Sequence, residues 1–160
     1  MPNGSQQPGF AALVGADGLI PDLPAFSKEA ALMVLARRAS DLVGQPVMQI
    51  HERLRTREAL GATGFGGGAA IPHARLPGLK TCFAMVARLP QAIDWGAVDG
   101  DAVDVLVLLL SPEDSGADHL KALARISRTL RDPATMPALR AAADADAMRV
   151  AIGGDVSVSA

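Results

Sequence analysis

Tyrosine is absent from this chain of 160 residues, cysteine and tryptophan occur once each, and aromatic residues amount to 3%. A single cysteine, Cys82, excludes an internal disulfide and any multi-cysteine metal site. Such sparing use of cysteine is compatible with a reducing cytoplasm, the compartment expected here. Nucleic-acid binders usually need a basic face and often stacking rings. With 15 Lys and Arg against 17 Asp and Glu, and so few rings, the chain offers neither. No apolar run approaches the roughly 18 residues required to cross a bilayer, so membrane insertion is not expected. The longest clean run, Val105 to Leu110, has the length of a buried strand. Residues 1–9 are polar and rich in Pro, Gly and Gln, without the basic and apolar regions of a secretory signal. Residues 1–15 are expected to form a disordered tail, and 16–155 one folded domain. Hydrophobic residues at 49% suffice for a core of useful size.

Glycine, by contrast, is concentrated. Five of the eight residues from Gly61 to Gly68 are glycine, and they run into Ile71-Pro72-His73-Ala74-Arg75-Leu76-Pro77. No lysine accompanies them, which excludes a Walker A loop. Gly64-x-Gly66-x-x-Ala69 matches the dinucleotide fingerprint in letters only. It follows an expected helix instead of a strand, and no acidic residue stands near twenty positions downstream to hold a ribose. The flanks of Thr63 do not make a nucleophile elbow. What remains is pliant backbone set directly before stiff backbone, with an imidazole at the join. Glycine adopts φ > 0 without cost, and proline fixes φ.

The elements around this join follow from periodicity and punctuation. Leu19 to Phe26 reads as extended because its prolines forbid a helix. Ser27 caps a helix expected over Lys28 to Val43, whose Leu32, Leu35, Ala36, Ala39 and Val43 form one stripe. Gly44 suits its C-terminus and Pro46 the N1 position of a second helix reaching Leu60. Arg53, Arg55 and Arg57 lie toward the end of that helix, where the macrodipole is negative. The glycine run is expected to break regular structure. Short or long strands are expected over Ala69 to Ile71, Thr81 to Leu89 and Val103 to Leu110, and helices over Asp118 to Arg131, from Pro133, and over Asp144 to Ile152. No repeat is present. The fold class is therefore α/β: a single domain with a mixed parallel and antiparallel sheet flanked by helices.

Of the three histidines, His73 has the most chemical promise. A neutral imidazole can anchor one nitrogen through its proton and attack phosphorus with the other. An inert loop histidine satisfies the same position. Backbone amides at Thr63, Gly64 and Gly66 could turn toward phosphoryl oxygens, as backbone nests do. His119 opens the third long helix, where free amides favour an anion and a neutral ring; an ordinary surface histidine fits there too. Arg57 can grip two phosphoryl oxygens at once, and Arg75, two residues after His73, has similar standing. His51 reads as a surface residue, Cys82 as a small core residue, and Asp99 and Asp104 as solvated strand flanks. Two histidines without a third ligand do not define a metal site. Neither metal nor cofactor is expected.

In order, Thr56-Arg57-Glu58-Ala-Leu-Gly-Ala-Thr-Gly-Phe-Gly, Ala70-Ile-Pro-His73, Ala97-Val-Asp-Gly-x-x-Val-Asp-Val-Leu and Asp118-His119-Leu-x-x-Leu carry a resemblance. The chain resembles, over roughly residues 19–152, the enzyme IIA domains of the mannitol/fructose type in the bacterial phosphoenolpyruvate-dependent phosphotransferase system. Within them it is most similar to the nitrogen-regulatory members. The resemblance implies that His73 is phosphorylated, that His119 lies beside it and that Arg57 completes the site. It also implies a donor, HPr or its nitrogen-branch paralogue, charged by an enzyme I. Downstream partners would be regulatory target proteins or, for a sugar-specific IIA, a IIB domain of a transporter. Ala74 stands where the family motif commonly has glycine, so a restricted loop or a narrower approach is expected there. A binding module never phosphorylated on His73 is the remaining alternative.

Overall fold

The computed structural model describes residues 10–154. The part of the expected tail over residues 1–9 lies outside the described residues, but the part over 10–15 is ordered and belongs to the domain. Phe10 is fully buried, a 3-10 turn spans Ala11–Leu13, and strand β1 (Val14–Ile20) follows at once. Phe10 and Val14 are apolar anchors that a polar N-terminus disguises; burying such side chains is favourable by about 1.5–3 kcal/mol each.

Helix α1 (Lys28–Val43) starts where the Ala30 N–H donates to the Ser27 hydroxyl and stops at Gly44, whose φ of 72° closes the last turn. Helix α2 (Val47–Leu60) is capped by Pro46, one residue earlier than the N1 position expected for that proline. Beyond it come the short strands β2 (Gly64–Gly66), β3 (Ala69–Ala70) and β4 (His73–Leu76). The long strands β5 (Phe83–Ile93) and β6 (Val103–Pro112) precede helices α3 (Ala117–Arg131), α4 (Thr135–Ala141) and α5 (Ala145–Ala151). The six strands form one sheet in the order β1-β5-β6-β3-β2, with β4 also paired to β6. β5 and β6 are antiparallel, while β1 joins β5 and both β3 and β4 join β6 in parallel. The mixed sheet and its flanking helices are as expected from the sequence.

Alternation along β6 divides the core. Leu106, Leu108 and Leu110 face α1 and α2, whereas Val105, Val107 and Leu109 face α3 to α5. Burial on both sides explains why β6 is apolar at nearly every position. β5 runs past the expected end at Leu89 and carries Pro90 within it. The β5–β6 register shifts between Arg88 and Ile93, which frees Pro90 from a ladder bond it could not make.

The glycine run is not irregular. Gly64 pairs with Ala70 and Gly66 with Ala69 in a small hairpin turned at Gly67 and Gly68, which have φ of 67° and 90°. A side chain at Gly64 would put its Cβ 2.6 Å from Ala97 Cα, so glycine there permits backbone to pack on backbone. Among the described residues no helix is long and apolar enough to cross a membrane.

Candidate functional site

His73 is the first residue of β4, not part of a loop, and strand pairing aims its ring. Its parallel partner on β6 is Leu109, and Arg75 lies opposite Ser111. Ala74 and Leu76 point into the core beneath α1 and α2. His73 and Arg75 therefore share the other face of the sheet, where α3 begins. The His119 ring, on the third residue of α3, has its centroid 5.4 Å from that of His73. Arg57 reaches in from the last turn of α2. Around the two imidazoles the surface forms a shallow hollow, lined further by Arg53, Thr56, Leu60, Ala74 and Arg75. Side chains 16 and 46 positions from His73 thus meet it in one place.

The two nitrogens of His73 have distinct surroundings. Nδ1 lies 2.8 Å from the Ile71 carbonyl oxygen, which can only accept, so Nδ1 carries the proton. Nε2 is then the lone-pair nitrogen, and the Arg57 Nε–H donates to it across 3.1 Å. Burial lowers the pKa of His73, and the Arg57 charge adds to this. The Ile71 carbonyl and Glu58 act in the opposite sense but do not prevail. The ring is a neutral base with its free electron pair directed at a cation near open solvent.

His119 is buried, with Nδ1 2.7 Å from the Ser111 hydroxyl. Burial, then His73, then Arg75 push its pKa down to about 4. Proximity to the N-terminus of α3 works the same way. The pKa in the folded chain is depressed below its ordinary value of 6.5, so the unfolded chain binds the proton first on acidification. This contribution to stability is complete above pH 6.5 and is lost as pH falls from there toward about 4. Denaturant midpoints measured across that window should therefore decline steadily. In wild-type spectra the His119 ring should show no titration step between pH 7 and 5.

Arg57 is held as firmly as its target. Its Nη1–H donates to the Gly61 carbonyl at 2.8 Å, closing the C-terminus of α2. Glu58 beside it anchors a buried network. Its carboxylate accepts from the Thr63 N–H at 3.0 Å, from the Thr63 hydroxyl, and pairs with Lys28 at 2.9 Å. Lys28 also donates to the Trp95 carbonyl, while the Trp95 indole N–H donates to the Thr63 hydroxyl. The ends of α1, α2 and the β2 hairpin are thereby joined to the loop before β6. Glu58→Ala would strand Lys28 and Thr63 partly buried and should lower stability by about 3 kcal/mol. A urea melt measures the loss, and an unchanged midpoint would mean the network is idle.

Of the loop residues considered for phosphate contact, only Arg75 lines the hollow. Among the described residues its guanidinium has no carboxylate partner. Thr63, Gly64 and Gly66 do not line it. Thr63 is committed to Glu58 and Trp95, Gly64 packs on Ala97, and the neighbouring Gly67 N–H donates to Asp99 at 3.0 Å. Asp99 and Asp104 are consequently more than solvated flanks. Asp99 orders the hairpin turn, and Asp104 pairs with Arg140, which also donates to the Gly67 carbonyl. Gly64 serves close packing and Gly66 to Gly68 supply the positive φ of the hairpin turn, so the expectation of a phosphate nest gives way to those roles.

Three other readings change as well. His51 is buried with Ile50 and Leu54 on the inner face of α2, not at the surface, since it flanks the stripe at helical spacing. Cys82 is only half-buried and precedes β5, with its thiol 3.5 Å from the Ser111 hydroxyl. Ala74 occupies a strand position with its methyl in the core, so it restricts no loop. Another cleft, walled by Lys80, Cys82 and Lys121, holds none of the three histidines. Among the described residues no cluster of metal-binding side chains occurs.

A mixed sheet covered on both faces, with a paired-imidazole hollow at the end of a parallel ladder, defines the architectural class. The family model described as "Phosphoenolpyruvate-dependent sugar phosphotransferase system, EIIA 2" matches residues 14–152, and the chain belongs to that family. It is 48% identical over 136 residues to a nitrogen regulatory protein of Bradyrhizobium diazoefficiens, covering 85% of this chain and 89% of that protein. The crystal structure of nitrogen regulatory protein IIA-Ntr from Neisseria meningitidis superimposes with a TM-score of 0.83 at 25% identity, covering 89% of this chain and 97% of that one. Enzyme IIAMTL of Escherichia coli, solved in complex with phosphorylated enzyme IIBMTL, shares the fold. Its TM-score is 0.72 at 15% identity, covering 86% of this chain and 95% of that one.

Proposed function

We propose that this chain is a cytoplasmic phosphoryl carrier of the phosphotransferase system. It takes a phosphoryl group on His73 from HPr or its nitrogen-branch paralogue and acts as a nitrogen-branch regulatory protein. The observation that carries this reading is the state of His73: neutral, anchored through Nδ1–H, with the Nε2 lone pair beside Arg57 in an accessible hollow. In the transfer the Nε2 pair attacks phosphorus of the donor's phosphohistidine in line. The donor's P–N bond breaks with its electrons returning to the donor ring, and the proton on Nδ1 of His73 stays against the Ile71 oxygen. Arg57 turns from Nε2 to the phosphoryl oxygens, and His119 and Arg75 meet the remaining charge. Positioning and fixed charge supply most of the acceleration in such a step. The dianion then sits on a surface where it can create or abolish an interface with regulatory target proteins.

The regulatory role is supported by relatives named nitrogen regulatory proteins, one of them 48% identical over 136 residues. Onward transfer to a IIB domain is the second reading, favoured by the fold shared with IIAMTL in its complex with phosphorylated IIBMTL. One experiment tests the carrier reading. Incubated with phosphoenolpyruvate, enzyme I and HPr, the wild-type chain should gain a single phosphoryl group that acid removes and alkali does not. Absence of label with active donor overturns the reading. Adding a IIB domain to the labelled chain separates the two roles, because only a sugar-specific component discharges rapidly.

A further inference from the structure

We infer that Ser111 is a positioning residue that holds His119 in the tautomer protonated on Nε2, so that this ring donates a hydrogen bond into the hollow. The inference rests on the carrier reading for its purpose, though not for its geometry.

Ser111 is wholly buried near the end of β6, and its hydroxyl lies 2.7 Å from His119 Nδ1. A hydroxyl has one proton to give, and two neighbours compete to decide its direction. The Cys82 thiol lies 3.5 Å from Ser111 Oγ and 4.0 Å from the Asp118 carbonyl oxygen, and its sulfur is a far weaker acceptor than an imidazole nitrogen. The proton of Ser111 is then free for Nδ1, and the short separation is typical of a hydroxyl donor rather than a ring N–H donor. Nδ1 therefore accepts. The neutral ring's single N–H falls on Nε2, on the edge away from Ser111, while His119 lines the hollow. The opposite tautomer would present a lone pair to an arriving phosphoryl group, and two acceptors repel.

The placement is built into strand register. Parallel pairing sets His73 opposite Leu109 and Arg75 opposite Ser111, so one short stretch of β6 locates both imidazoles. His73 is fixed as the ring that offers a lone pair, through Ile71, and His119 as the ring that offers a proton, through Ser111. Neither partner touches the phosphoryl group. Roles are assigned to two chemically identical rings by what lies behind each of them.

Nitrogen-15 spectra of the unphosphorylated full chain test the assignment without any transfer assay. Wild type should show His119 protonated at Nε2, with a slowly exchanging Ser111 hydroxyl proton correlated to Nδ1. Ser111→Ala should show exchange between both tautomers, and single-turnover transfer from phosphorylated HPr should slow about 10- to 100-fold with little change in the donor concentration for half-maximal rate. Ser111→Thr, which retains the hydroxyl, should restore both. A wild-type ring protonated at Nδ1 overturns the inference, as does an unchanged tautomer in Ser111→Ala. If that variant does not fold, the wild-type tautomer and the presence or absence of the hydroxyl correlation decide. Should the tautomer stand as described while the wild-type chain gains no phosphoryl group from active donor, the carrier reading fails and the assignment of the rings survives.

Discussion

Replacing His73 by alanine should abolish phosphoryl incorporation, where wild type should be labelled to one group per chain. Loss of a catalytic nucleophile costs about 10⁶ in rate when the rest of the site is intact, so no label should accumulate over minutes. The result is informative because a second imidazole remains 5.4 Å away. His119 cannot substitute if its Nδ1 is occupied by Ser111 and its Nε2 carries the proton. His119→Ala is the complementary case. It keeps the nucleophile and loses one charge-stabilising donor, so labelling should persist and slow by about 10²–10³. The pair of variants therefore identifies the acceptor, where either alone shows only that a residue matters. His73→Ala should retain cooperative melting, because His73 is only half-buried and the chain alternates it with the core residues Ala74 and Leu76. Full labelling of His73→Ala, mapped to any other side chain, would defeat the proposed function.

The acid limb of transfer adds a constraint from the same residue. Burial lowers the pKa of His73, so the neutral acceptor persists below pH 6.5, where an exposed histidine would already be charging. Rates should stay level through that value and decline only further down.

Much of this site was legible in the sequence because its members are locally marked. Ser27 and Gly44 bound α1 as their chemistry dictates, and the run from Val103 announces the central strand. His73, Arg57 and His119 could each be singled out by residue type and punctuation, and the resemblance supplied their convergence. Ser111 could not be found that way. It is a small polar residue at the end of an apolar strand, and its importance comes from the β4–β6 register, a long-range property that periodicity does not encode. The glycine run misled for a related reason. Flexibility, close packing and a left-handed turn all select the same residue, and only the approach of Ala97 to Gly64 and the positive φ at Gly67, whose amide is spent on Asp99, show which demand each position meets. Phe10 escaped notice because a single buried ring beside a polar segment has no period at all.

Arg57→Ala should cost about 10³ in transfer rate, since a guanidinium that meets developing phosphoryl charge is worth roughly 10³–10⁵ in comparable reactions. The variant also carries a signature that a purely structural arginine would lack. The Arg57 charge lowers the pKa of His73, so its removal must raise that pKa toward 6.5 and move the acid limb of the pH–rate profile upward. Arg57→Lys separates the two effects. A lysine at the same place retains the positive charge, and with it the depressed pKa, but loses the planar fork that spans two oxygens. It should transfer slowly with an acid limb close to that of wild type. The lost contact to the Gly61 carbonyl at the exposed end of α2 should matter little, about 1 kcal/mol in stability. Quench-flow transfer from phosphorylated HPr between about pH 5 and 8, together with a ring titration of His73, reads the rates and the midpoints, and a urea melt reads the stability. If Arg57→Ala transfers at the wild-type rate and leaves the His73 midpoint unmoved, the guanidinium is a helix cap and nothing more, and the charge of the transferring group must be met by Arg75 and His119 alone.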